Sequence, residues 1–150
     1  MTTATKWTEE DIADVLAAHF NTRTNVVVPN VSWSLLNHEA DLIVMTKAGK
    51  VHEIEIKTSV ADTKNDSKKI HGHQSRYVDK LWFCFPWEIG ARCIPLIPED
   101  YGVLLITEDN RVITHRQARQ NQIVRPDPAF RENLLRLGYL RYWSLRGVRG

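Results

Sequence analysis

Residues 40–59 hold the strongest constraint on the fold. An apolar run, ADLIVM, is followed by the turn Lys47-Ala-Gly-Lys50 and then by VHEIEIKTS, whose residues alternate in character. Successive side chains of a strand point to opposite faces. Ile54 and Ile56 therefore point one way, into a core, and Val51, Glu53, Glu55 and Lys57 point the other. If the two strands pair through the turn, Asp41 comes to lie beside Glu55 and Lys57. A hairpin decorated with solvated ion pairs is the alternative. The LIVM setting counts against it, because a carboxylate among apolar residues is costly unless paired or metal-bound.

The rest of the chain supplies partners for this hairpin. A helix is expected at about residues 9–20, with Thr8 as N-cap, Asp11 completing a capping box, and Ile12, Leu16 and Phe20 as its buried stripe. Glu9 begins the same stripe. A strand opens at residues 26–28, where Pro29 interrupts or ends it. Residues 60–69 (VADTKNDSKK) are expected as a polar loop, followed by a helix that Gly72 breaks or delays and that runs to Asp79 or Lys80. LWFCF at 81–85 is a strongly apolar strand closed by Pro86. A loop with Pro95 and Pro98 leads to a further strand at 102–107. A hairpin turn at 108–111 returns it as residues 112–114. The last element is a helix at about 128–143, with Asp127 as cap and Pro128 in its first turn. Phe130, Leu134, Leu137 and the stretch from Tyr139 to Trp143 are expected to supply its apolar face, and Gly138 weakens it. The order is α-β-β-β-α-β-β-β-α, a mixed sheet flanked by helices, α/β or α+β. A helical crossover between the Glu-x-Lys strand and LWFCF makes those two strands parallel neighbours.

At 150 residues and 43% hydrophobic, the chain suits one globular domain. Its core is expected at about residues 5–115, with 116–150 as an Arg-rich helical extension. No apolar run reaches the roughly 20 residues of a membrane span, and MTTATKWTEED has no signal-peptide stretch. Cys84 and Cys93 make no disulfide framework, and a reducing cytoplasm is the simplest setting. The net charge of +2 is unevenly spread: from Arg111 onward nine Arg stand against Asp127 and Glu132, a net +7. Such a segment favours phosphate, although a solvated helix face reads the same way.

Asp41, Glu55 and Lys57 carry the chemistry. Mg2+ takes hard oxygen ligands, often one or two carboxylates completed by water and substrate phosphate. Asp41 and Glu55 supply carboxylates, and the Ile56 carbonyl is a candidate third oxygen. A metal acidifies its water enough to attack near neutral pH, and Lys57 is placed to hold that water or to offset charge on a scissile phosphate. The chain has no glycine-rich Walker loop and no Cys/His nucleophile arrangement. His71 and His73 lack the matching Cys or His that zinc requires.

Ala-Asp41-Leu-Ile, the short turn and Ile-Glu55-Ile-Lys57-Thr-Ser resemble the active-site hairpin of the PD-(D/E)xK nuclease superfamily. Within it the chain is most similar to the MmcB-like group of bacterial DNA-repair proteins. The order VADTKNDSKK, a helix with Tyr77 and Asp79, LWFCFP, then LIPEDYGVLLI carries that likeness over about residues 5–107. The resemblance implies a restriction-endonuclease-like fold and a metal-dependent deoxyribonuclease, prokaryotic or phage-encoded. Asp41 and Glu55 would bind Mg2+, with Mn2+ able to substitute, and Lys57 would be catalytic. Many superfamily members also place a Glu of the first helix near the metal. Glu9 is the candidate here, although a first-turn acid is also what a helix dipole favours. The sequence departs from the pattern in two places. Glu39-Ala40 precedes Asp41 where the motif has Pro. Gln74 and Tyr77 stand three apart where RecB-type relatives have Gln and Tyr four apart.

Other residues carry weaker signals. Lys68, Lys69, His73, Gln74 and Arg76, with His71 and Lys80, are candidates for a DNA-contacting rim just after the catalytic strand; a solvated crossover helix is the alternative. Glu53 is either a further metal ligand or, more in keeping with a charged strand residue, an edge ion pair. Trp82 belongs in the core, and Trp33 and Trp87 lie in loops. The leading expectation is an endonuclease of DNA repair or recombination. Its alternatives are a catalytically silent nuclease-fold module that binds DNA or protein, and a phage-type resolvase of branched DNA. DNA is the expected partner, no membrane is involved, and a homodimer is among the assemblies open to it.

Overall fold

In the computed structural model, the residues described are 7–31, 36, 39–67, 77–121 and 125–148. Helix α1 (Glu9–Phe20) is followed by strands β1 (Val26–Val31), β2 (Ala40–Met45) and β3 (Val51–Ile56). Helix α2 (Val60–Ser67) precedes β4 (Val78–Pro86). A run of short helical turns over residues 87–96 includes α3 (Gly90–Cys93). Strands β5 (Gly102–Ile106) and β6 (Val112–Arg116) and helix α4 (Pro128–Leu145) complete the chain. The six strands form one sheet in the order β1-β2-β3-β4-β5-β6. The pairs β1–β2, β2–β3 and β5–β6 are antiparallel, and β3–β4 and β4–β5 are parallel. This is the mixed α+β architecture that the element order predicts.

The β2–β3 turn closes as expected. The Thr46 N–H donates to the Lys50 carbonyl at 2.8 Å, and Gly49 adopts φ 86°, a conformation that glycine takes without a Cβ clash. The capping box of α1 is formed: the Asp11 N–H donates to Thr8 Oγ1, and the Thr8 N–H donates to Asp11 Oδ2, each at 3.1 Å.

Four local expectations are corrected. First, β1 continues through Pro29 to Val31, with Pro29 opposite Leu42. It is an edge strand, so the missing N–H of Pro29 breaks no ladder on its outer side. Second, the stretch expected as a polar loop begins with α2. Its first turn is tied down by Ser59, whose Oγ accepts from the Asp62 N–H at 3.1 Å and whose carbonyl accepts from the Thr63 hydroxyl at 2.9 Å. Third, Asp79 and Lys80 lie in β4 rather than at a helix end, with Lys80 opposite His52; residues 68–76 fall outside the described part. Fourth, the loop after Pro86 is largely short helical turns.

Both faces of the sheet are covered. On one, Ile12 and Leu16 of α1 pack on Leu42, Val44, Ile54, Ile56, Trp82 and Cys84. On the other, Phe130 and Leu134 of α4 pack on Val28, Ile43, Met45 and Val51. Beside them Leu81, Phe83 and Phe85 pack under Ile89, Cys93 and Ile97. The alternation read in β3 holds, since Ile54 and Ile56 lie against α1 and Val51 faces α4. Trp82 is in the core, and both cysteines are buried free thiols.

Candidate functional site

Asp41, Glu55 and Lys57 are brought together by the sheet. Leu42 pairs with Ile54 across β2 and β3, which puts Asp41 beside Glu55 one step along the ladder. Asp41 Oδ2 accepts the Ile56 N–H at 2.8 Å, so one carboxylate oxygen is oriented by the neighbouring strand. The Lys57 N–H donates to the Cys84 carbonyl at 2.9 Å. That bond extends the β3–β4 ladder one residue past Ile56 and fixes where the Lys57 side chain departs.

Glu9 joins this group from α1. The capping box sets the start of the helix, and Glu9 is its first residue. Glu9 is solvent-exposed as a whole, yet its carboxyl turns to Asp41 and the two share a hydrogen bond. Asp41 also hydrogen-bonds with Glu55. Burial pushes the Asp41 carboxyl up to about 7; the Glu55 charge and hydrogen bond push the same way, while the Ile56 N–H and Glu9 pull it down. Glu9 is likewise pushed up to about 7, by burial first, then by the Asp41 charge and hydrogen bond. The Lys57 ammonium pulls Glu9 down, which sets it within electrostatic reach of the same cluster. Crowded carboxylates that cannot all ionise hold protons between them near neutrality.

Among the described residues, no group of three or more His, Cys, Asp or Glu side chains is set to hold a metal ion by itself. The donor chemistry of the cluster nevertheless fits magnesium, which needs only one or two carboxylates when water and phosphate complete its shell. A divalent cation would replace the protons that the carboxyls share. Ile56 enters the site through its N–H, donated to Asp41.

Glu53 is not at a sheet edge. It is 0% exposed on β3, between β2 and β4, opposite Ile43 and Leu81. It lies on the same face as Glu55, two residues back along the strand, and forms a buried acidic column with it. Lys80 is also not beside the Asp41–Glu55 end of the sheet: it faces His52 near the start of β3, whereas Glu55 faces Phe83. Lys68, Lys69, His73, Gln74 and Arg76, together with His71 and Trp33, lie outside the described residues. Trp87 is half exposed on the turn after β4. At the far end of the sheet, Trp82 Nε1–H donates to His52 Nδ1 at 3.0 Å, and burial pushes the His52 pKa down. That acceptor role, with the lowered pKa, holds the imidazole neutral as a structural partner for Trp82.

A mixed sheet with acids on two adjacent antiparallel strands, and a lysine two residues after the second, is the layout of the restriction-endonuclease-like class. The family described as "DNA repair protein MmcB-like" matches residues 12–137, and the chain belongs to that family, a restriction-endonuclease-like group. The match passes residue 107, where the likeness read from motifs stops, and takes in the first half of α4. Phe130 and Leu134 explain that reach, because they are part of the core over β1 and β2. A protein of unknown function from Silicibacter pomeroyi has a similar solved structure, with TM-score 0.71 and 21% identity over 97% of this chain and 98% of that one. That likeness concerns the fold. No curated protein matches the sequence. Among the described residues no helix is long and apolar enough to cross a membrane.

Proposed function

We propose that this member of a DNA-repair family is a Mg2+-dependent endonuclease that hydrolyses DNA phosphodiester bonds in the cytoplasm. The observation that carries the reading is the Glu9–Asp41–Glu55 cluster. Three carboxyls from three elements meet there, and those of Glu9 and Asp41 are both pushed up to about 7, within reach of a lysine. Asp41 and Glu55 would hold Mg2+, or Mn2+ in its place, with Glu9 and the Ile56 carbonyl as further oxygens. A bound divalent cation supplies Lewis acidity to a phosphate oxygen and a water acidic enough to attack near neutral pH. Asp41 is oriented for its part by the Ile56 N–H. Lys57 holds the attacking water or offsets charge that grows on the scissile phosphate in the transition state. Lys68, Lys69, His73, Gln74 and Arg76 stand as proposed phosphate contacts on sequence alone.

The Lys57→Ala variant tests the role assignment. It should bind DNA as the wild type does and cut at least about 100-fold more slowly, the usual scale for one transition-state contact. Unchanged cleavage by this variant would sink the mechanism. The rival is a module that holds DNA without cutting, against which the intact set of Asp41, Glu55 and Lys57 argues. Titration with Mg2+ separates the two, since a module binds DNA equally well with and without metal and releases no product.

A further inference from the structure

Helix α4 is apolar on two opposite faces, and among the described residues only one of them packs against the sheet. Phe130, Leu134, Leu137 and Arg141 recur at helical spacing and face β1. On the opposite side Leu135, Tyr139, Tyr142 and Trp143 are 49, 61, 54 and 37% exposed. These aromatic rings are ordered against one another. Trp143 meets Tyr139 at 6.3 Å and 71° and Tyr142 at 5.2 Å and 85°, both edge-on. The Arg146 guanidinium lies 5.8 Å from the Tyr142 ring centre. The rings therefore brace one another and still present open faces.

Charge decides what such a face suits. From Asn133 to Gly150 there is no Asp or Glu, against Arg136, Arg141, Arg146 and Arg149. Glu132, just before, is within 3.9 Å of Arg136. A second copy docked on this face would bring arginines against arginines with no acid to offset them. A polyanion with flat, stackable groups meets both the charge and the rings.

Position ties the face to the site. Arg141 Nη2 donates to the Asn30 carbonyl at 2.6 Å. Pro29 pairs with Leu42 and Val31 with Ala40, so Asn30 stands beside Asp41. The aromatic half of α4 is thus anchored at the Asp41 end of the sheet, one strand away from the carboxylate cluster. We infer that Tyr139, Tyr142, Trp143 and Arg146 form a stacking platform for unpaired nucleotides of DNA that reach the Asp41 site. The inference rests on the reading of that site as DNA-processing and adds that its substrate carries a single-stranded segment.

The test compares the full chain with the Tyr139→Ala/Tyr142→Ala double variant for binding of fluorescein-labelled oligo(dT) and of blunt duplex. Both tyrosines are exposed, and circular dichroism checks that the variant folds. Stacking contributions of this kind predict a loss for oligo(dT) on the order of 10- to 100-fold, with a much smaller loss for blunt duplex. The Tyr139→Phe/Tyr142→Phe variant keeps the rings and should bind oligo(dT) as the wild type does. Lys57→Ala should keep oligo(dT) binding while losing cleavage, so failure of the catalytic reading shows in that variant and failure of the platform in the tyrosine variants. Four results would overturn the platform. They are undiminished oligo(dT) binding by the alanine variant, equal loss on both DNAs, a dimer-to-monomer change at unaltered DNA affinity, and binding of anionic phosphatidylglycerol vesicles in place of oligo(dT).

Discussion

Asp41 is the residue on which opposing influences meet. Burial and the neighbouring Glu55 push its carboxyl up to about 7, and Glu9 is pushed to a similar value beside it. Both groups ionise near pH 4 in an unfolded chain. Between about pH 4 and 7 the native chain therefore holds more protons than the unfolded one. The stability they contribute is fully present below about pH 4 and is lost as pH rises through 7. Thermal melts in chelator should show this contribution as a Tm that falls from pH 5 to 8. Asp41→Asn removes one of the competing charges. At pH 8 without metal it should raise stability by on the order of 1 kcal/mol, about 2–4 °C in Tm, while abolishing cleavage. A lower Tm for Asp41→Asn at pH 8 would contradict the shared-proton account. Mg2+ competes with those protons, so its addition should raise Tm more at pH 8 than at pH 5.

At the scale of elements, close packing explains three positions that carry no chemistry. A Cβ on Gly102 would lie 2.2 Å from Trp82 Cε3 and 2.8 Å from the Ala118 N. Gly102→Ala should therefore cost about 1–3 kcal/mol or more, read in denaturant melts, because one of the two contacts is backbone and cannot swing aside. Leu134 is buried between α4 and β1, and Leu134→Ala should cost about 2–5 kcal/mol. Gly138 has a similar reason: its Cβ would approach Val28 Cγ2 to 3.2 Å, so a residue that weakens the helix lets it sit close to the sheet. The hairpin, the α1 cap and the parallel β3–β4 pair were legible in the sequence because each has a short-range signal: a glycine turn, a capping box, an alternating strand followed by a crossover. Helix α2 was not, because VADTKNDS is polar and its anchor is the side chain of Ser59 just outside it. The outward turn of Tyr139–Trp143 was missed for a related reason. Apolar content alone does not tell a buried face from an exposed one, whereas spacing from Phe130 through Leu134 and Leu137 leads to Arg141.

At the scale of the whole molecule, the sheet does two things for the site. Its antiparallel β2–β3 pair sets Asp41 against Glu55 and aims the Ile56 N–H at the first of them. Its two faces are closed by helices, which leaves the carboxylates at one end of buried strands. The pairing of Asp41, Glu55 and Lys57 could be read from alternation and turn length. The contribution of Glu9 needed the tertiary fold, since α1 is remote in sequence and its capping box explains a first-turn acid without any site. The burial of Glu53 was hidden for the opposite reason: a charged strand residue reads as an edge position even though the strands on both sides of it were expected, and only the packed fold shows its face covered. The measurement that bears most directly on the central claim is a cleavage panel of single-stranded, duplex, flapped and four-way DNA, with and without Mg2+ or Mn2+, with Asp41→Ala as the matched control. The account predicts product on at least one of these DNAs only when metal is present, and none from Asp41→Ala. Metal-independent product, equal product from the variant, or DNA binding without cleavage at any metal concentration would contradict it.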